Sequence, residues 1–326
     1  MKAAVNLGYG SPDVVRIVEV PPPTVGERDL LVKVHATTVN RTDCGYRSGK
    51  PFFIRFFSGL RQPKAPVLGN EFAGQVEQVG SAVTRFAVGD RVFGYVEGTF
   101  GAHAEYLYVP EDGSLATIPA NLTYQQAAPG TEGSHYAMSF IRKAKIHAGQ
   151  RVLVNGATGA IGSAAVQLLK TMDVEVTATC GADHLDLVKG LGADRVIDYT
   201  AEDFTQDDQT YAAVLDTVGK STFGQCKRLL VPGGVYLSSE LGPMGQNPAL
   251  ALTTPLMRGK KVVFPFPEEN QEMVQHFSDL MASGQFTPVI DRTYPLDQVV
   301  DAYRYVETGR KIGNVVIDVV PAGEQG

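Results

Sequence analysis

"RVLVNGATGAIGSAAVQLLKTM", residues 151–172, runs an apolar stretch into Gly156, Gly159 and Gly162 and then into a long helical pattern. The spacing is G-x-x-G-x-x-G, a relative of the G-x-G-x-x-G turn that binds dinucleotides. Small residues permit the tight turn, let backbone amides approach a pyrophosphate and seat the helix against the strand. The helix N-terminus then favours the anion. A glycine triplet alone would also fit a packing turn. Here it follows a strand, opens a helix and lies within a repeated β-α pattern, so Gly156, Thr158, Gly159, Ala160, Ile161 and Gly162 are the expected phosphate-side residues of a dinucleotide site.

Outward from this turn the same alternation continues. "VEVTATC", "RVIDY", "AAVLDTVG", "GVYLSSE" and "KKVVFPF" read as strands, with helices such as "HLDLVKGLGA" between them. Strands alternating with helices predict a parallel sheet covered on both faces, here over residues 123–265. Residues 1–122 read differently, as short β-type runs cut by Gly and Pro: "KAAVNL", "VVRIVEV", "LLVKVHATTVN", "FAGQVEQVG", "RVFGYV" and "AEYLYVP". Residues 266–326 hold two helical patterns and two strands, "VIDRTYP" and "NVVIDVV", expected to fold back on the β module. The expected architecture is therefore α/β, with a discontinuous β-rich domain (1–122 and 266–326) and a doubly wound nucleotide-binding domain (123–265).

The chain has 326 residues, more than one hydrophobic core usually supports, which agrees with two domains. A net charge of -6 gives no electrostatic reason to expect nucleic acid. Three widely spaced cysteines, Cys44, Cys180 and Cys226, suit a reducing compartment and exclude a four-cysteine zinc cluster. The start "MKAAVNLGYG" has no apolar signal core, and no run approaches a membrane span. A cytoplasmic protein with no membrane partner is expected.

The end of the strand after the glycine turn bears on which dinucleotide is bound. NAD sites usually carry an acid there to hold the ribose 2'-hydroxyl, which repels a 2'-phosphate. This strand ends in Thr179 and Cys180, whose small side chains leave room for a phosphate, with Tyr199, His184, Lys189 or Lys311 as candidate contacts. Asp183, a few residues on, would favour NADH if it reached the ribose. NADPH is the expected cofactor, with NADH possible; Ser239 and Phe264 complete the cofactor candidates.

Five stretches in order, "VHATTVNRTDCGYRSG" (34–49), "PVLGNEFAGQVEQVG" (66–80), "VGDRVFGY" (88–95), "VNGATGAIGSAAVQ" (154–167) and "LGADRVIDY" (191–199), resemble the medium-chain dehydrogenase/reductase superfamily over nearly the whole chain. Within it the chain is most similar to the zinc-free quinone oxidoreductase branch, the zeta-crystallin-like enzymes and the oxidoreductases related to the reticulon-4-interacting protein. The resemblance implies a GroES-like catalytic domain, a Rossmann domain and an active site in the cleft between them. Zinc-dependent members have Cys where Asn40 stands and His where Asn70 stands, and take a third ligand near 129–133, where this chain reads "PGTEG". A neutral amide is a poor zinc donor, and Glu132 alone cannot make a site, so no metal is expected.

Without a Lewis acid the acceptor must be electrophilic on its own account. Quinones, enones and enals qualify, because added hydride gives a delocalised oxyanion that hydrogen bonds can stabilise. Asn40 is the candidate donor to the acceptor oxygen, with Asp43 and Tyr46 beside it; as turn residues, Asn40 and Asp43 also fit a purely structural role. Phe52, Phe53, Phe56 and Phe57 fit a planar acceptor, or else packing of their own loop or an oligomer contact. His135 fits a nicotinamide contact or packing. The expected protein is an NADPH-preferring reductase of a small quinone or enone, forming a homodimer. A catalytically silent NADPH-binding sensor or interaction protein and a zinc-type alcohol dehydrogenase are the alternatives.

Overall fold

The runs of β-branched and aromatic residues form strands where the sequence places them. The computed structural model describes residues 1–96, 99–256, 259–265 and 270–320. Contacts divide the chain into two compact units, Met1–Glu132 with Glu269–Gly326, and Gly133–Glu268. In chain order, the first unit supplies β1 (Lys2–Asn6), β2 (Val15–Glu19), β3 (Asp29–Val39), α1 (Arg41–Ser48), α2 (Ile54–Ser58), β4 (Glu71–Val79), β5 (Arg91–Tyr95), β6 (Tyr106–Pro110), β7 (Leu115–Thr117) and α3 (Tyr124–Ala127). The second begins with α4 (Glu132–Ala144). It continues through β8 (Arg151–Asn155), α5 (Ala160–Lys170), β9 (Glu175–Cys180), α6 (Leu185–Gly190), β10 (Arg195–Asp198), β11 (Tyr211–Asp216), α7 (Phe223–Cys226), β12 (Leu230–Ser238), α8 (Gln246–Thr253) and β13 (Lys261–Val263). The chain then returns to the first unit with α9 (Gln271–Ala282), β14 (Ile290–Pro295), α10 (Val299–Glu307) and β15 (Asn314–Asp318).

The first unit is built on a seven-stranded sheet of order β14-β15-β3-β4-β5-β7, with β6 also paired to β3. β3 is its spine. It alternates buried and half-buried residues at first and is buried throughout from Val34, where β4 and β15 flank it. The antiparallel pairing of Val315–Asp318 with Ala36–Val39 ties the C-terminal tail to the N-terminal module. Its core gathers Leu30, Val32, Phe72, Val92, Leu107, Tyr303 and Ile317.

The second unit holds a six-stranded, fully parallel sheet of order β10-β9-β8-β11-β12-β13. Numbered within the unit, this is the 3-2-1-4-5-6 order of a Rossmann fold, whose direction reverses between β8 and β11. The unit boundary falls ten residues beyond the expected 122/123 position. The cause is long-range: the backbone N–H groups of Thr131 and Glu132 donate to the Glu71 carboxylate of β4, at 3.1 and 2.6 Å. Residues 123–132 thereby pack with the first unit.

Candidate active site

The glycine turn lies at the carboxyl end of β8, at the reversal of strand order where doubly wound folds bind ligands. Gly156 has φ +88°, a conformation that L side chains rarely adopt, and a Cβ there would stand 2.4 Å from Val218 Cγ1. A Cβ on Gly162 would lie 2.2 Å from the Gly156 carbonyl oxygen, so α5 can begin this close to the turn only with glycine there. Gly159 caps α5 in extended backbone, and a Cβ on it meets only the Gly156 oxygen at 3.6 Å. The helix therefore presents an open N-terminus without a side-chain cap, which suits a pyrophosphate. Ala160 is buried, while Thr158 and Ile161 are half-buried.

Thr179 and Cys180 serve a different purpose from the one the sequence suggests. Thr179 is fully buried; its hydroxyl donates to Asn155 Oδ1 at 2.7 Å and accepts from Gly156 N at 3.1 Å, which fixes the turn rather than facing a phosphate. The Cys180 thiol is buried, and that burial pushes its pKa up to about 11. Space beside Gly181 is bounded instead by the exposed Tyr199, whose hydroxyl would lie 3.3 Å from a Cβ on Gly181. Ser239 follows β12 and donates its N–H to Asp216 O at 3.4 Å, and Phe264 follows β13. Lys311 belongs to the first unit, where its ammonium donates to the Gly313 carbonyl and feels the charges of Glu132 and Glu71. Burial lowers its pKa, and the two carboxylates oppose that shift.

Two features of this half were missed. Asp216, buried at the end of β11, accepts from Asn155 Nδ2, Ser221 N, Ser221 Oγ and Tyr236 OH at 2.9–3.1 Å, which braces the strand ends at the reversal point. The Asp in "VLDTVG" was the available signal. Gly133 lets α4 approach α5, since a Cβ on it would lie 2.8 Å from Ala160 C and O; an isolated glycine in a helical pattern was the signal there.

In the first unit two of the candidate catalytic residues, Asn40 and Asp43, lie in one buried polar network. Asn40 caps α1 through a reciprocal box: Asp43 N donates to Asn40 Oδ1 at 3.0 Å, and Asn40 N donates to Asp43 Oδ2 at 3.1 Å. Asn40 Nδ2 donates to Asn70 Oδ1 at 2.6 Å, so the amide proposed for a substrate oxygen is engaged inside the protein. Gly69 N occupies Asp43 Oδ1 at 3.1 Å, and burial raises the Asp43 pKa well above its usual value. Glu71 accepts from Thr38 Oγ1 at 2.6 Å, from Thr131 N and Oγ1 at 3.1 and 2.9 Å and from Glu132 N at 2.6 Å. Burial raises its pKa too, with these donors pulling against the shift.

Glu132 accepts from Thr42 Oγ1 at 2.8 Å. Tyr46 is half-buried against Phe100, ring centroids 4.6 Å apart. His135, on α4, is buried with its ring tilted 49° against Tyr136. His103, not singled out from sequence, sits 4.0 Å from Asp43 but forms no ion pair. Burial holds its pKa down at about 4, and Nε2 donates to Thr38 O at 2.7 Å.

Residues 26–120 match the alcohol dehydrogenase GroES-like domain family, and residues 191–317 match the family described as zinc-binding dehydrogenase. The 2-methylene-furan-3-one reductase of Solanum lycopersicum is 33% identical over 98% of this chain and 80% of its own length. The chain belongs to the medium-chain dehydrogenase/reductase superfamily. Its place there is the zinc-free quinone oxidoreductase branch, and it is an oxidoreductase. The NADPH-dependent alkenal/one oxidoreductase of Arabidopsis thaliana, a chloroplast protein, is 31% identical over 98% of this chain and 80% of its own. The quinone oxidoreductase of Coxiella burnetii superposes with TM-score 0.86 at 27% identity, covering 98% of this chain and 99% of that one.

The residues of this superfamily member fit a nicotinamide dinucleotide, because the N-terminus of α5 carries no side-chain cap and the space over Gly159 is open, a Cβ there meeting only the Gly156 oxygen at 3.6 Å. They do not fit the zinc in one matched family's description. Asn40 Nδ2 donates to Asn70 Oδ1, and neutral amides at these two positions are poor zinc donors. No described helix is long and apolar enough to cross a membrane.

Proposed function

We propose that the protein is an NADPH-preferring, zinc-independent reductase of small quinones or α,β-unsaturated carbonyls. The observation that carries the reading is the Asn40–Asn70 amide pair, a hydrogen bond between neutral groups at the positions where zinc-dependent relatives are expected to hold ligands. An acceptor here must be electrophilic without metal polarisation. When bound, the nicotinamide supplies a hydride. The glycine turn and the α5 N-terminus bind its phosphates, and no acid stands at the carboxyl end of β9, beside Gly181 and Tyr199, to oppose a 2'-phosphate. Asn40 and Asp43 act as positioning residues that fix α1 and hold Tyr46 toward the acceptor, and water supplies the final proton.

The three free, buried cysteines suit a reducing compartment, and we assign the cytoplasm. β13 ends its sheet, so a homodimer would pair along that edge. Fluorescence titration with NADPH and NADH, then cofactor oxidation across quinones, enones and simple aldehydes, tests the function. Tighter NADPH binding with turnover of quinones and enones alone is expected. Binding without turnover across the panel would instead support the silent sensor, and equal rates with unconjugated aldehydes would refute the reading.

A further inference from the structure

Between Asp43 and Glu71 the sequence contains Arg47, Lys50, Arg55, Arg61 and Lys64 and no acid, in a chain whose net charge is -6. The same stretch carries the most concentrated apolar exposure of the first unit: Phe52 62%, Phe56 64%, Phe57 70% and Leu60 58%, with Phe53 at 45%. Residues 52, 53, 56 and 57 fall on one side of the helical turns that wind through this segment around α2, and Leu60 follows just beyond the Gly59 cap. An amphipathic helix normally turns such a face to the core. This one turns it to water.

The orientation is fixed by the inner face. Ile54 packs toward Gly45 of α1, 3.1 Å from where a Cβ would lie. Arg55 sits 4.5 Å above the Tyr9 ring and donates to Gly49 O at 3.3 Å. Ser58 shares a 2.7 Å hydrogen bond with Tyr9 OH. With three inward residues anchored, the phenylalanines cannot roll under, and Phe52 and Phe56 stack edge to face at 5.9 Å on the outside. Lys50, Arg61 and Lys64, which flank the rings in the chain, are exposed.

We propose that this face docks on an anionic lipid bilayer surface, with the phenylalanines entering the headgroup boundary and Lys50, Arg61 and Lys64 meeting lipid phosphates. Aromatic rings flanked by cations without acids are the composition of interfacial anchors. A second copy fits worse, because a two-fold contact would set the same cations against each other. The sequence expectation of no membrane partner rested on the lack of a spanning segment, and surface docking needs none. The binding does not depend on the reductase reading, since it is measured without turnover.

The test is flotation of the full chain with vesicles of phosphatidylcholine containing phosphatidylglycerol, against phosphatidylcholine alone. Binding to the anionic vesicles is expected to be about a hundredfold tighter, from roughly a factor of five per cation, and to be lost at high salt. The Phe56→Asp/Phe57→Asp variant should lose binding altogether, while Arg61→Gln/Lys64→Gln should fall toward the neutral-vesicle level, each melting as the wild type does. Should the first variant fail to fold, the second still decides. Absence of wild-type binding, or binding that survives both variants, overturns the proposal. A lipid-independent drop in oligomeric mass in the first variant would give the face to a second copy. A raised KM for acceptors with vesicle binding intact would give it to substrate.

Discussion

Replacing Gly162 by alanine tests the glycine turn most directly. The new Cβ would stand 2.2 Å from the Gly156 carbonyl oxygen, more than about 1 Å short of ordinary contact, and 2.9 Å from Ala157 Cα. Both neighbours are backbone, so no rotamer change relieves the clash and the start of α5 must move off β8. Overpacking against rigid neighbours costs about 3 kcal/mol, the upper end of its usual range. For a unit of this size that is a fall in melting temperature of roughly 6–12 °C. Gly159→Ala is the matched control. Its backbone, φ -74° and ψ 169°, suits any residue, and the reduced freedom of the unfolded chain offsets about 0.5 kcal/mol lost at the cap. Its melting should match the wild type, yet its methyl group projects where a pyrophosphate would approach the turn. NADPH affinity by fluorescence titration should weaken by about tenfold or more in both variants. A Gly162→Ala protein melting with the wild type would refute the close approach of helix and turn. A Gly159→Ala protein binding NADPH at full strength would refute the placement of the phosphates.

Glu71→Ala removes the carboxylate that accepts from the buried N–H groups of Thr131 and Glu132 and should cost about 2–4 kcal/mol in urea unfolding. Glu71→Gln keeps an oxygen for those donors and turns its amide toward Thr38, so it should cost about 1 kcal/mol; equal costs would mean the donors find other acceptors. Burial pushes the Cys44, Cys180 and Cys226 thiols up to about 12, 11 and 11, so a thiol reagent at pH 8 should label none in the native protein and all three after unfolding. Fast native labelling of any one would contradict its burial. His103 has a pKa of about 4 in the fold against an unfolded value of 6.5, so the unfolded chain binds more protons between those values. Its contribution is complete above pH 6.5 and is lost as pH falls toward 4. Wild-type stability should drop across that window by roughly 3 kcal/mol more than that of His103→Gln, and parallel curves would show that His103 does not stay neutral.

The parts legible in the sequence are those whose backbone geometry admits few residue types. Gly156 and Gly162 announce a turn because nothing larger fits, and β-α alternation announces a parallel sheet because buried strands and covering helices have different periods. What escaped depends on partners distant in the chain. The unit boundary shifted because Glu71, some sixty residues away, captures the amides of Thr131 and Glu132. Thr179 reads as a phosphate neighbour from its place on β9, yet Asn155 and Gly156 claim its hydroxyl. Asn40-x-x-Asp43 has the spacing of a capping box, and the same four residues also read as a substrate-binding turn; only the position of Asn70 shows where the free N–H goes.

That last contact links fold to chemistry. A buried amide is stable only if its donor and acceptor are both used, and Asn40 achieves this with the α1 backbone on one side and Asn70 on the other. Asp43, shared between Asn40 N and Gly69 N, pins the same turn to the segment Gly69-Asn70 that leads into β4 and Glu71. Replacing the asparagines singly by metal ligands would therefore break the cap of α1 or leave its partner unsatisfied before any third ligand was supplied. The network is self-consistent as a set of mutually hydrogen-bonded groups. On the reading proposed above, a reductase built on it would select acceptors by their own electrophilicity.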